Sequence, residues 1–169
     1  MIVNKLKIAI TGHTGEVGAA LSKVFSDAGH TVVGISRSTG YDLTNPENYN
    51  DIISTINNCD VFINCFQLNQ TAILRSVWEL WQGLENKRII NISSVSTSDP
   101  SETNEYYQAK RKMESTFWEL IKINILPPMT IVRAGLREHD PSYDNWARFL
   151  INLLHNPEYH FLEVSYLKL

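Results

Sequence analysis

Tyr106 and Lys110 stand four residues apart in the run Tyr106-Tyr107-Gln108-Ala109-Lys110, a spacing that puts both side chains on one face of a helix. An ammonium beside a phenol stabilises the phenolate and lowers the phenol pKa, toward the range where it trades a proton with an alcohol or carbonyl oxygen. Taken alone, such a pair is most often plain helix surface. A second constellation lies earlier, where Thr11-Gly12-His13-Thr14-Gly15-Glu16-Val17-Gly18 follows the apolar run Lys7-Ile8-Ala9-Ile10 and opens a helical pattern. In that position Gly12 permits a tight turn, Gly15 a close approach of backbone to a pyrophosphate, and Gly18 the packing of helix on strand. The anion then rests on N–H groups at the positive end of the helix, so Gly12, His13, Thr14, Gly15, Glu16, Val17 and Gly18 are expected to hold a dinucleotide. No Lys-Ser or Lys-Thr follows the glycines, which argues against a P-loop. The alternative is a glycine-rich turn that holds nothing.

Which dinucleotide depends on the end of the second apolar run, Thr31 to Ile35. A carboxylate there would bond the ribose 2′-hydroxyl, whereas a basic residue accommodates a 2′-phosphate. The chain has Ser36-Arg37-Ser38 and no acid. The planar fork of Arg37 suits a phosphate and the two hydroxyls can add bonds, so NADP(H) is favoured and NAD(H) stays possible. A solvated surface arginine is the competing reading.

These residues need a scaffold. Strands are expected at Lys7–Ile10, Thr31–Ile35, Tyr41–Leu43, Asp60–Asn64, Arg88–Ser93, Met129–Arg133 and Tyr159–Val164. Helices are expected at Val17–Ala28, from Pro46, at Gln70–Leu84, Asn104–Lys122 and Ser142–Leu154, with Pro127-Pro128 barring any continuation of the fourth. β-branched runs without alternation, separated by helices, predict a parallel sheet of about seven strands covered on both faces. With 169 residues, 43% hydrophobic and 20% charged, the chain reads as one domain, 1–169. A net charge of −3 argues against a nucleic-acid or anionic-membrane partner. Cys59 and Cys65 fit no zinc or redox spacing and read as small buried hydrophobes. Without a signal-like segment or a run of roughly 20 apolar residues, a soluble, cytoplasmic protein is expected.

In order along the chain, these features resemble the short-chain dehydrogenase/reductase family. The glycine run resembles that of its extended and atypical branches, and Asp42-Leu43 is similar to its adenine-contacting segment. Asn64-Cys65-Phe66 stands where the family commonly has Asn-Ala-Gly. Ile92-Ser93-Ser94-Val95 resembles the strand end with the active-site serine, Tyr106-x-x-x-Lys110 the signature pair, and Arg133-Ala134-Gly135 a segment that usually reads Pro-Gly. The resemblance implies a Rossmann-type doubly wound α/β fold. It also implies reversible hydride transfer between a nicotinamide and the carbonyl or alcohol carbon of a small molecule.

In that scheme Tyr106 gives or takes the proton, Lys110 bonds the nicotinamide ribose, and Ser94 orients the substrate oxygen. Ser93 also satisfies the usual distance to the tyrosine. Asn69 is placed like the asparagine that supports a relay water, although a helix cap is its default role. Asn64, Cys65, Asp42, Leu43 and Lys110 are implied cofactor contacts. Trp78, Trp81, Phe117 and Trp118, on the two helices that pair across a two-fold axis in the family, suggest a homodimer or homotetramer, the competing reading being that all four are core residues. The segment Leu136–Pro141 is shorter than the family's substrate-closing insertion. Two rivals therefore stand beside a reductase: a dinucleotide-binding sensor without turnover, and an epimerase or dehydratase of nucleotide-linked sugars. No second, substrate-binding domain is expected, which argues against the latter.

Overall fold

Ile8, Ala9, Ile10 and Thr11 are all completely buried, which is why this run forms a central strand, β1 (Lys7–Thr11). A computed structural model describes residues 5–101, 103–135, 143–155 and 161–167. After β1 come α1 (Glu16–Asp27), β2 (Thr31–Ile35), α2 (Tyr49–Asn57), β3 (Val61–Asn64) and α3 (Gln70–Trp81). These are followed by β4 (Arg88–Ser94), α4 (Glu105–Ile123), β5 (Met129–Gly135), α5 (Tyr143–Leu154) and β6 (Phe161–Leu167). All neighbouring strands pair in parallel, in the order β2-β1-β3-β4-β5-β6.

Alternate strand residues feed opposite layers, as the pleat requires. Ala9, Phe62, Ile89 and Met129 pack with Ile52 and Ile56 of α2, Leu74 and Trp81 of α3, and Phe117 of α4. Ile8, Ile10, Ile63, Ile90 and Val132 pack with Leu21 and Phe25 of α1 and Trp146 and Leu150 of α5. The sheet is thus doubly wound, with helices on both faces.

Three sequence expectations need correction. The strand at Tyr41–Leu43 does not form, so the sheet has six strands among the described residues. Asp42 Oδ1 instead accepts from the Thr44 N–H at 2.9 Å and hydroxyl at 2.6 Å, a local turn that competes with strand pairing, while Leu43 is drawn into the core. Second, Trp78, Trp81 and Phe117 lie in the core and only Trp118 is exposed, so the aromatic argument for an interface shrinks to that residue. Third, Pro46 opens a single 3₁₀ turn, Pro46–Asn48, and α2 begins only at Tyr49. The expected helix and strand residues Ser142, Tyr159 and His160, with Leu136–Pro141, lie outside the described residues.

Candidate active site

β1 is flanked by β2 on one side and β3 on the other, so the connections leaving β1 and β3 diverge to opposite faces. A crevice must open at their carboxyl ends, where doubly wound sheets bind ligands. The structure has a cleft of about 1260 Å3 there, larger than the roughly 300–1,000 Å3 of a drug-sized pocket. Thr11, fully buried, braces its floor: its hydroxyl accepts from the N–H groups of Cys65 and Phe66 at 3.0 and 3.2 Å, tying the ends of β1 and β3 together.

Glycine is required at two places in the loop above. Gly12 has φ +67°, and a Cβ there would stand 3.2 Å from the Phe66 Cα. A Cβ on Gly18 would stand 2.2 Å from the Gly12 oxygen, so α1 reaches its seat on β1 only without one. Gly15 is the N-cap of α1, Glu16 its first residue, and both line the cleft with Thr14 and Val17. The Glu16 carboxylate accepts a 3.3 Å bond from the Tyr143 hydroxyl of α5. His13 departs from expectation. Its ring lies over Gly34 of β2, where a Cβ would come within 2.3 Å of it, and it is not part of the cleft lining.

At the β2 end, Ser36, Arg37 and Ser38 line the cleft, with Arg37 exposed at the head of a one-turn 3₁₀ helix, Arg37–Thr39. The Ser36 and Ser38 hydroxyls bond each other at 2.8 Å. Asp42 and Leu43 line the same end, and the Thr44 bonds hold the Asp42 carboxyl below its ordinary pKa. Asn64 does not reach the cleft. It is fully buried, and its Nδ2 donates to Gln70 O at 3.0 Å and Asn91 Oδ1 at 3.1 Å. Asn69 is placed elsewhere too: with φ +58° it makes no side-chain cap, and its Nδ2 donates to Leu43 O at 3.2 Å. Cys65 does line the cleft, and burial pushes its thiol up to about 11.

Ser94, Tyr106 and Lys110 all line the same cleft, as do Tyr107, Ala134 and Tyr143. Asn104 caps α4 by accepting from the Tyr106 N–H at 2.8 Å, which fixes where the tyrosine enters. Successive residues of β4 separate the two serines: Ser93 is buried and donates to Glu114 Oε1 at 2.5 Å, whereas Ser94 is half-buried and its Oγ accepts from Ser96 N–H at 3.2 Å. The Lys110 nitrogen lies 5.4 Å from the Tyr106 ring centroid, but it donates to Ile92 O at 2.7 Å. Desolvation takes the ammonium down to about 8 and the phenol up to about 12. The expected lowering of the Tyr106 pKa is absent in this arrangement.

Two groups of residues escaped sequence reasoning. Gln70, next to Asn69, donates from Nε2 to Asn64 O at 2.7 Å and to Ile92 O at 3.1 Å, the same carbonyl that holds Lys110. Glu114, one turn beyond Lys110, gathers Ser93, Thr97 and Arg133. Its four-residue spacing from Lys110 was a usable signal; the pairing of Gln70 with a distant strand carbonyl was not. Among the described residues no cluster of three or more His, Cys, Asp or Glu could hold a metal ion, and no helix is long and apolar enough to cross a membrane.

The fold is shared with solved dehydrogenases. A short-chain dehydrogenase from Streptomyces avermitilis matches with TM-score 0.77 and 16% identity over 96% of this chain and 89% of that one. The 3-alpha-hydroxysteroid dehydrogenase of Pseudomonas sp. B-0831, complexed with NADH, matches at 0.67 and 18% over 94% of each chain. UDP-N-acetylglucosamine 4-epimerase from Bacillus cereus matches at 0.71 and 18%, over 96% and 78%. No curated protein matches the sequence. The model of the NAD dependent epimerase/dehydratase family matches residues 8–124, from β1 through α4. Since that match spans well over half the chain and includes both the glycine loop and the tyrosine–lysine helix, the chain belongs to this NAD-dependent family, within the short-chain dehydrogenase/reductase group its motifs resemble.

Proposed function

We propose that the protein is an NADP(H)-dependent oxidoreductase that interconverts a carbonyl and an alcohol on a small molecule. The observation that carries this reading is the convergence of Ser94, Tyr106 and Lys110 on the cleft that begins at the glycine loop. The loop fits a dinucleotide: the missing Cβ atoms of Gly12 and Gly18 keep it low, and α1 starts beneath it. Gly12, Thr14, Gly15, Glu16, Val17 and Gly18 would hold the pyrophosphate, and Asp42 and Leu43 the adenine end. Arg37, with Ser36 and Ser38, would take a 2′-phosphate; NAD(H) is the alternative if Arg37 is only a solvated cation.

When bound, the nicotinamide supplies or accepts the hydride at the reacting carbon. Ser94 orients the substrate oxygen. Tyr106, whose pKa of about 12 keeps it protonated at neutral pH, donates a proton to that oxygen, which suits reduction. Lys110 would leave Ile92 O for the ribose, and its charge would stabilise the phenolate that forms. A second reading rests on the resting bond of Lys110 to Ile92 O: a dinucleotide-binding sensor would need no proton donor and would leave the lysine there. In either case two copies are proposed to pair through α3 and α4, where Leu80 and Trp118 are exposed.

The test is cofactor consumption against a panel of ketones, aldehydes, quinones and nucleotide-linked sugars. Turnover of a simple carbonyl with NADPH is expected. Conversion of the linked sugars alone would favour an epimerase or dehydratase, and no turnover with tight cofactor binding would favour the sensor.

A further inference from the structure

Glu114 continues the face of α4 that carries Tyr106 and Lys110, and its side chain is largely buried, with 11% exposure. Arg133 of β5 grips it with Nε at 3.0 Å and Nη2 at 2.6 Å, and Nη1 of the same arginine pairs with Glu163 of β6. Arg133 fills two of the roughly four acceptor sites of this carboxylate. Glu114 also takes the hydroxyls of Ser93 at 2.5 Å and Thr97 at 3.0 Å, the residue before Ser94 and the third one after it. The Thr97 hydroxyl lies 2.7 Å from Ser94 O as well, closing the turn. Arg111, one turn before Glu114 on α4, donates to the carbonyls of Thr97 and Asp99.

We infer that, granted the carbonyl–alcohol reading above, Glu114 is a positioning residue: it fixes the Ser94 turn against the helix of Tyr106 and Lys110 and places its negative charge behind that lysine. The electrostatics follow from the neighbours. Glu114 faces Arg133 of β5, which in turn faces Glu163 of β6, and Lys110 of its own helix; Lys110 also faces Cys65 beyond β3 and Tyr106. Two carboxylates thus offset two cations, and removing Glu114 leaves the cations in excess. Burial lowers the Lys110 pKa, and both Cys65 and Glu114 oppose that fall. A buried ion pair by itself contributes little net stability, so the arrangement is better accounted for by what it holds in place.

The experiment is Glu114→Gln, which keeps shape and an acceptor but loses the charge, with exposed Glu119→Gln as the control on the same helix. Three quantities are read: the Lys110 titration midpoint by NMR of lysine side chains, exchange of the Ser96 amide, and kcat against KM. Glu114→Gln is expected to lower the midpoint and to speed Ser96 exchange on the order of tenfold. It should cost on the order of tenfold in kcat with little change in substrate KM. The midpoint and the exchange rate need no turnover. If both match the wild type, or if Glu119→Gln shifts them equally, the inference fails whatever the enzyme does; a wild type that never turns over sinks only the reductase reading. Should Glu114→Gln not fold, Ser93→Ala decides, since the Ser93 hydroxyl bonds the Glu114 carboxylate and not the Ser94 carbonyl that closes the turn: faster Ser96 exchange with an unchanged Lys110 midpoint supports the clamp, and unchanged exchange overturns it.

Discussion

A phenol and an ammonium four residues apart are visible in any sequence, but the groups that tune them are not. The i, i+4 rule places Tyr106 and Lys110 together, and the structure agrees. What it could not convey is that Lys110 bonds Ile92 O from another element, so the lysine is desolvated rather than spent on the phenol. Nor could alternation alone say which of Ser93 and Ser94 meets a buried carboxylate; that needs Glu114 across the layer. If Tyr106 is the proton donor, Tyr106→Phe removes carbonyl reduction while cofactor affinity, read by tryptophan fluorescence, stays within about twofold. Tyr107→Phe leaves most activity, since a neighbouring helix residue points roughly 100° away. A lysine whose folded pKa is about 8 against 10.5 binds protons less well folded than unfolded, so its burial costs stability wherever the unfolded lysine is charged. Lys110→Met should therefore raise the melting temperature, by about 3 kcal/mol in stability below pH 8. The gain should fade as pH rises from 8 to 10.5. Equal gains at pH 7 and pH 10.5 would mean that the ammonium is not the cause.

Elements were legible where hydrophobic pattern and punctuation agreed. The run Ile8-Ala9-Ile10 followed by glycines gave β1 and α1 within a residue, and Leu21, Val24 and Phe25 supply the buried stripe of that helix. The pattern misled where a side chain bonded its own backbone. Asp42 turns on Thr44 and ends what looked like a third strand, and Asn69 adopts a left-handed backbone and reaches for Leu43 O instead of capping α3. Glycine patterns say that a helix sits close to a strand; only coordinates say how close. With 2.2 Å between a Gly18 Cβ and the Gly12 oxygen, Gly18→Ala must lift α1 from the loop. The expected cost is about 1–3 kcal/mol in stability and a loss of cofactor affinity on the order of tenfold or more, measured by thermal melts and fluorescence titration. Affinity and melting both unchanged would show that the loop yields without consequence.

At the scale of the whole molecule, composition and strand–helix alternation were enough to forecast a doubly wound parallel sheet, because each layer must bury one side of it. They did not reveal which aromatic residues stay outside. Trp118 and Leu80, on helices that pack together, are half-exposed, and the proposed pairing through them makes Trp118→Glu a direct test. Light scattering should give a dimer or larger for the wild type and a monomer for the variant; a monomeric wild type at micromolar concentration would end the proposal. The missing third strand has a different consequence. It leaves β2 as the border of the sheet, five residues long with a glycine in it, and the chain folds Thr39 back so that its hydroxyl caps Gly34 O at 3.0 Å. Unpaired strand borders are templates for other chains, and shortness and local capping are ways of blunting them. Loss of the Thr39 hydroxyl should therefore show itself first in shelf life, as slow, concentration-dependent clouding.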